Sequence, residues 1–394
     1  MIITRRRLGA ATAILLGITL TGTASSGAHA APATDVTAAV QHKLLGEAAV
    51  AADPGIRAAG AADTRVTVTR RDGRAWAFGT AVLVAPRAEG LFPSGWIFVA
   101  RQQRDDWQVA FEGEATFAEL ALAAPASVVA EGERAAFTAP TTLAADGDFR
   151  TGMRLPFALG QSWTLRGGPH GWSGSPRPYS SIDLFGGDQR VLAVRAGTAY
   201  TMCKGWIRVV HDRGYATDYY HLWNNINVDG ASVSAGTYLG DTGTDITCGG
   251  SASSRHVHLG LRQNSAYVKI ATHSLGKWVP REGSTAYEGY ALHGSTRVNV
   301  RGTLYNYGAL GLTEGIVDSN GGTSISRRSG PGTGYGVVGS IADGATAAVA
   351  CSANGTTHTG RWGTTALWNR LTDGTWIPDA YHYTGAASQV NGWC

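Results

Sequence analysis

All 14 tyrosines and all four cysteines of this 394-residue chain lie beyond residue 144. A single core would draw on the whole length, so the division implies at least two pieces that were selected separately. Charge divides at the same place: residues 31–144 carry 10 basic and 13 acidic side chains, and residues 145–394 carry 20 and 16. Length agrees, because roughly 100–200 residues per domain gives two or three domains. The 54 glycines are about twice the usual ~7% share, and charged residues fall below the usual ~25%. With 12 Trp, 14 Tyr and 9 Phe available for burial, charge-driven disorder is excluded and turn-rich β-structure is expected. No Lys/Arg block follows the first ten residues, so no nucleic-acid partner is expected. An anionic polymer of lower charge density stays open.

Residues 1–30 read as an export signal. Arg5, Arg6 and Arg7 precede an apolar stretch from Leu8 to Leu20, and Ala28-His29-Ala30 supplies a small-x-small cleavage pattern. That stretch is shorter than the ~20 residues that span a bilayer. A secreted, extracellular protein without a membrane anchor is expected.

Residues 31–144 read as a small α+β unit: a helix-like stretch from Val36 to Ala51, then strand-like runs Arg65–Thr69, Ala75–Ala85 and Gly95–Gln102. Trp76, Phe78, Trp96, Phe98, Trp107 and Phe111 are expected on one sheet face. Placed between a signal and a cysteine-containing segment of opposite charge, the unit reads as a pro-domain that assists folding or covers a site; the alternative is a permanent accessory domain. The Ala/Pro-rich stretch Thr138–Asp146 is the expected cutting point for a processing protease. A further boundary near Leu312 separates residues 145–314 from a glycine-rich module, 315–394. Four cysteines in an exported chain imply disulfides. Cys203 with Cys248 and Cys351 with Cys394 is the pairing that keeps each bridge inside one proposed domain.

The chemistry-bearing residues concentrate in the middle segment, as GGPHGWSGSPRPYSSIDLFGGD from Gly167, YATDYYHLW from Tyr215 and SSRHVHLGL from Ser253. Alternate residues of a strand share a face, so His256 and His258 can reach one site. A catalytic zinc needs three N or O ligands and one open position. His170, Asp183 and one of the paired histidines would supply them. A Ser or Cys triad is the rival arrangement, but there is no G-x-S-x-G and the cysteines are expected to be oxidised.

These motifs, GGPH, PYSSID, DYYHL and H-x-H-L, resemble those of the lysostaphin-type zinc endopeptidases, in particular their β-lytic and staphylolytic branch, over about Leu155 to Gln263. The resemblance implies zinc on His170, Asp183 and His258, one ion per catalytic domain, with His221 and His256 assisting catalysis in an antiparallel β-sheet domain with an open groove. Cys203 and Cys248 also resemble a disulfide of this branch. The loop from Gly171 to Pro178 departs from the family pattern, and subsite preference stays open there. Tyr179, Tyr220 and Trp172 are candidates for substrate contact.

From Gly315 on, R-S-G-P-G-T-G-Y and the WNRLTDGTWIPDAY stretch resemble bacterial SH3-type domains, implying a β-barrel that binds cell-wall peptides. Tyr335, Trp362, Trp368, Trp376, Tyr381 and Tyr383 are groove candidates, about half of which are expected in the barrel core. The reading is a secreted preproenzyme, monomeric, that hydrolyses glycine-containing peptide bonds in bacterial peptidoglycan. The contrasting reading is a non-catalytic wall-binding protein of the same fold.

Overall fold

The computed structural model describes residues 35–51, 57–138 and 147–394. The export signal and residues 139–146 of the expected cutting segment lie outside them. The described chain is mainly β, in antiparallel sheets. No described helix is long and apolar enough to cross a membrane.

The N-terminal region comprises α1 (Val36–Val50), β1 (Thr64–Asp72), β2 (Trp76–Leu83), β3 (Ser94–Gln103), β4 (Asp106–Phe111), α2 (Ala115–Ala123) and α3 (Glu131–Phe137). Its four strands pair in chain order. Val36, Val40, Leu44 and Ala48 recur every four residues and form the stripe that α1 buries against the sheet. The six aromatics expected on one face occupy two. Phe98 pairs with Phe111 and Gly79, whereas Phe78 pairs with Val99. A one-residue offset between neighbouring strands inverts the face, so Trp96, Phe98, Trp107 and Phe111 lie under α1 while Trp76 and Phe78 point the other way.

The middle region comprises β5 (Ser162–His170), β6 (Ser181–Phe185), β7 (Arg190–Leu192), β8 (Gly197–Cys203), β9 (Trp206–Val210), β10 (Tyr215–Tyr220), β11 (Asp229–Val233), β12 (Tyr238–Asp241), β13 (Val257–Gln263), β14 (Ala266–Tyr267), β15 (Val279–Glu282), β16 (Gly289–His293), β17 (Thr296–Asn299) and β18 (Thr303–Tyr305). A nine-stranded sheet runs β11-β8-β9-β10-β13-β6-β5-β18, with β14 on β13. Alternation divides its two faces. Val257, Leu259 and Leu261 of β13 enter a core drawn wholly from Met153 to Leu304, together with Ile182, Leu184, Tyr215 and Tyr219. His258, Gly260 and Arg262 face the other way. On that side the N-terminal region is seated: Phe78, Val82, Phe92, Ile97 and Val99 pack in one cluster with Trp172, Tyr200, Trp206 and Tyr220.

The C-terminal region holds β19 (Glu314–Val317), β20 (Ser324–Arg328), β21 (Val337–Ala342), β22 (Thr346–Gly360), β23 (Gly363–Leu371), β24 (Trp376–Pro378) and β25 (His382–Tyr383). They form one seven-stranded antiparallel sheet around Val317, Ala347, Leu371 and Ile377. Of its groove candidates, Trp368, Trp376 and Tyr383 are buried; Tyr335, Trp362 and Tyr381 keep exposed surface. Both expected disulfides are present, Cys203–Cys248 and Cys351–Cys394.

Candidate metal centre and its cover

Strand pairing brings the centre together. His258 of β13 lies opposite Asp183 of β6 on one side and Tyr220 of β10 on the other. His170 ends β5, where the pairing with β6 slips twice between Leu165 and His170, so that His170 comes opposite Ser181. This bulge falls on Gly167-Gly168-Pro169, and glycine is required in it. A Cβ on Gly167 would lie 2.6 Å from Asp183 Oδ2, and one on Gly168 would lie 2.2 Å from the carbonyl oxygen of Glu288.

Three donor atoms converge. His170 Nε2 is 3.1 Å from His258 Nδ1 and 3.5 Å from Asp183 Oδ1, and His258 Nδ1 is 2.9 Å from the same oxygen. Ligands held tetrahedrally at about 2.0–2.1 Å from zinc stand about 3.3 Å apart, so this triangle fits such an ion. The tautomer is set as well: His170 Nδ1–H donates to Gly168 O at 2.7 Å, which leaves Nε2 with its lone pair. All three residues are buried. Burial pushes His258 down to about 4 despite Asp183.

The other two histidines stand beside the triangle. His221 follows Tyr220 with φ 69°, a left-handed turn that interrupts strand alternation. Its ring thereby returns to the metal-facing side, 4.8 Å from the His256 ring. Nδ1–H of His221 donates to Asp245 O at 2.9 Å, and that of His256 to Ser254 O at 2.7 Å. In the neutral form of each ring this bond puts the lone pair on Nε2. That of His256 is 3.7 Å from Asp183 Oδ1, and that of His221 is buried without a hydrogen-bond partner. Burial, reinforced by His256 and His258, holds His221 well below its usual range, so it is neutral at pH 7.

The three aromatic candidates are placed differently. Tyr220 and Trp172 lie on the metal-bearing face under the N-terminal region; Tyr220 donates to Gly249 O at 2.7 Å and Trp172 Nε1 to Pro93 O at 2.7 Å. Tyr179 is buried, with the Arg177 guanidinium 4.1 Å from its ring centroid.

Sequence reasoning missed two residues. Tyr287 stacks on His170 at 3.9 Å, and nothing local announces it. Phe92 stacks on His258 at 4.5 Å and meets His221 at 5.5 Å. It belongs to residues 85–93 between β2 and β3, which run along the groove. Ala85 N–H donates to Cys248 O at 3.0 Å, Gly250 N–H donates to Pro86 O at 3.1 Å, and a Cβ on Gly174 would lie 2.7 Å from Gly90 Cα. The apolar Leu-Phe-Pro inside a turn was the available signal. Beside the segment a cavity of about 850 Å³ remains, bordered by Arg87, Arg166, Arg301, Asp183 and His256.

No family model matches the chain. Protease LasA of Pseudomonas aeruginosa is 35% identical over 148 residues, covering 34% of this chain and 35% of LasA. The chain thus spans about a third of that relative's length. Among solved structures, the M23 metalloprotease pseudoalterin from the deep sea shares 31% identity over 39% of this chain and 97% of its own, with a TM-score of 0.37. The β-lytic metalloendopeptidase of Lysobacter enzymogenes is 32% identical over 146 residues, 34% of this chain but 82% of the relative. With most of that relative's length matched, the chain belongs to the family of the β-lytic metalloendopeptidases, the M23 peptidases.

Proposed function

We propose that the chain is a secreted zinc endopeptidase, made as a preproenzyme, that hydrolyses glycine-containing peptide bonds in bacterial peptidoglycan. The observation that carries this is the buried triangle of His170 Nε2, Asp183 Oδ1 and His258 Nδ1 with the imidazoles of His221 and His256 beside it, each tied through Nδ1 to a backbone carbonyl. When bound there, zinc supplies Lewis acidity toward a carbonyl oxygen and toward water. The rest of the chemistry falls to the chain. Nε2 of His221 or His256 accepts the proton of the attacking water and returns it to the leaving amine, while Ser254 O and Asp245 O hold the rings in the receptive tautomer. Burial that keeps His221 neutral keeps it able to accept.

Residues 31–144 act as the pro-domain and 315–394 as an SH3-type wall-binding module. Phe92 on His258 supports the first assignment, because a substrate carbonyl and the Phe92 ring cannot both occupy that space. Processing between Thr138 and Asp146 would free the groove. Wall peptides that lack side chains suit it, since the groove already accepts Gly90 backbone against Gly174.

Mass spectrometry of muropeptides released by zinc-loaded, processed enzyme tests the reading, because the new termini identify the bond. His258→Ala should still fold yet lose zinc and lysis; full activity in that variant refutes the assignment. Deleting residues 315–394 should abolish sedimentation with purified walls, and unchanged sedimentation removes the targeting role.

A further inference from the structure

Four charged side chains meet where the N-terminal region covers β9, β10 and β13. Arg208, Asp218, Arg262 and Glu112 are all buried. Arg208 donates from Nε and Nη2 to the two oxygens of Asp218, at 2.9 and 3.0 Å. Trp206 Nε1 and the Tyr267 hydroxyl donate to the same carboxylate, each at 2.8 Å. A carboxylate accepts about four hydrogen bonds, so Asp218 is filled and cannot also serve Arg262. Arg208 Nη1 donates to Gly95 O at 3.0 Å, Arg262 Nη2 donates to Ser265 O, and Arg262 Nε is buried without a partner, which leaves Nη1 of Arg208 and Nη1 of Arg262 facing the cover. Both point at Oε1 of Glu112, the second at 3.1 Å.

The four partners do not belong to the same region. Arg208, Asp218 and Arg262 lie in the metal-bearing sheet and sum to +1; Glu112, which neutralises them, comes from the N-terminal region. Once that region leaves, two guanidinium edges converge on a vacant point within aromatic surroundings. A planar carboxylate matches the two donors that remain.

Arg262 also shares a strand face with His258. His258, Gly260 and Arg262 alternate on one face of β13, so Arg262 is about 13 Å along the strand from His258. That distance equals about four residues of extended peptide. Between the two, Trp172 lies over Gly260, where a Cβ would sit 2.7 Å from its ring, and Tyr267 stacks on Trp172 at 4.9 Å.

We propose that Arg208 and Arg262 form a subsite for a free carboxylate of the substrate peptide in the processed enzyme, and that Glu112 holds its place in the intact chain. The assignment rests on the endopeptidase reading of the metal centre. It deepens that reading by naming a group the peptide must carry some four residues from the centre.

The test uses the fragment beginning at Gly147, obtained by nicking the full chain within 139–146 and removing the N-terminal piece. Its core comes entirely from residues 153–304, and circular dichroism verifies that it stays folded. Acetyl-tetraglycine as the free acid and as the amide is titrated calorimetrically at fixed ionic strength. The acid should bind at least tenfold more tightly than the amide. Arg262→Gln should reduce that ratio below twofold, and Arg262→Lys should leave an intermediate ratio. Equal binding of acid and amide by the unsubstituted fragment overturns the proposal without any variant, and so does a tenfold ratio that survives Arg262→Gln. Hydrolysis is read separately on purified walls: a fragment that discriminates the acid but cuts no wall peptide retains the subsite and refutes the endopeptidase reading.

Discussion

On the proposed function, replacing Phe92 by Ala in the intact chain should raise the rate of wall degradation. Phe92 is only 5% exposed. Its ring stacks on His258 at 4.5 Å and approaches Trp172 and Tyr220 at 6.1 Å each. In the uncovered state that ring would face water, so truncation removes its transfer free energy from the covered state alone and leaves a gap beside His258. A buried Phe→Ala change costs about 3–5 kcal/mol; the lower figure suits a ring held between two regions that can part. At about 1.4 kcal/mol per tenfold, 3 kcal/mol increases the uncovered population roughly a hundredfold. The backbone ties of Ala85 and Pro86 and the Trp172–Pro93 hydrogen bond do not involve the ring and persist, so the cover loosens without leaving. Initial rates of wall clearing by the zinc-loaded intact chain should rise by tenfold to a hundredfold. The fragment beginning at Gly147 should have the same rate from either parent. Equal rates for the intact chain with and without the substitution would refute the covering role of Phe92.

Gly167→Ala should lower zinc affinity at least tenfold, read by competition with a chromophoric chelator, because the new Cβ would lie 2.6 Å from Asp183 Oδ2 and must displace the carboxylate. Burial raises the Asp379 carboxyl to about 6 from its ordinary 3.8. Between those values the unfolded chain has released the proton and the folded chain has kept it, so stability falls as pH rises from about 4 to 6, by up to about 3 kcal/mol. Asp379→Asn should flatten that slope in urea titrations and raise the midpoint at pH 7. Cys394→Ser opens a loop closed across 43 residues, for which the chain-entropy model gives about 4 kcal/mol; calorimetry should show the C-terminal region melting earlier while the rest of the chain melts unchanged.

Much of the centre was legible in the sequence because its information is local. H-x-H on a strand places both imidazoles on one face whatever surrounds them. The α1 stripe and the first three strands were legible for the same reason, since periodicity is a property of neighbours. The face assignment of the six aromatics failed because alternation within a strand says nothing about the register between strands. Phe78 and Phe98 look equivalent in sequence, yet a single-residue offset sends them to opposite cores.

The sequence by itself determined the pairing of the cysteines and the residue types of the metal centre. Only the tertiary structure decided what lies on that centre. The 85–93 segment is distant in sequence from His258, and its place depends on how one sheet is seated on another. The same holds for Glu112 between Arg208 and Arg262. Each of the three reads as an ordinary charged residue, and their meaning arises only where two surfaces exclude water and leave one carboxylate to satisfy two guanidinium groups.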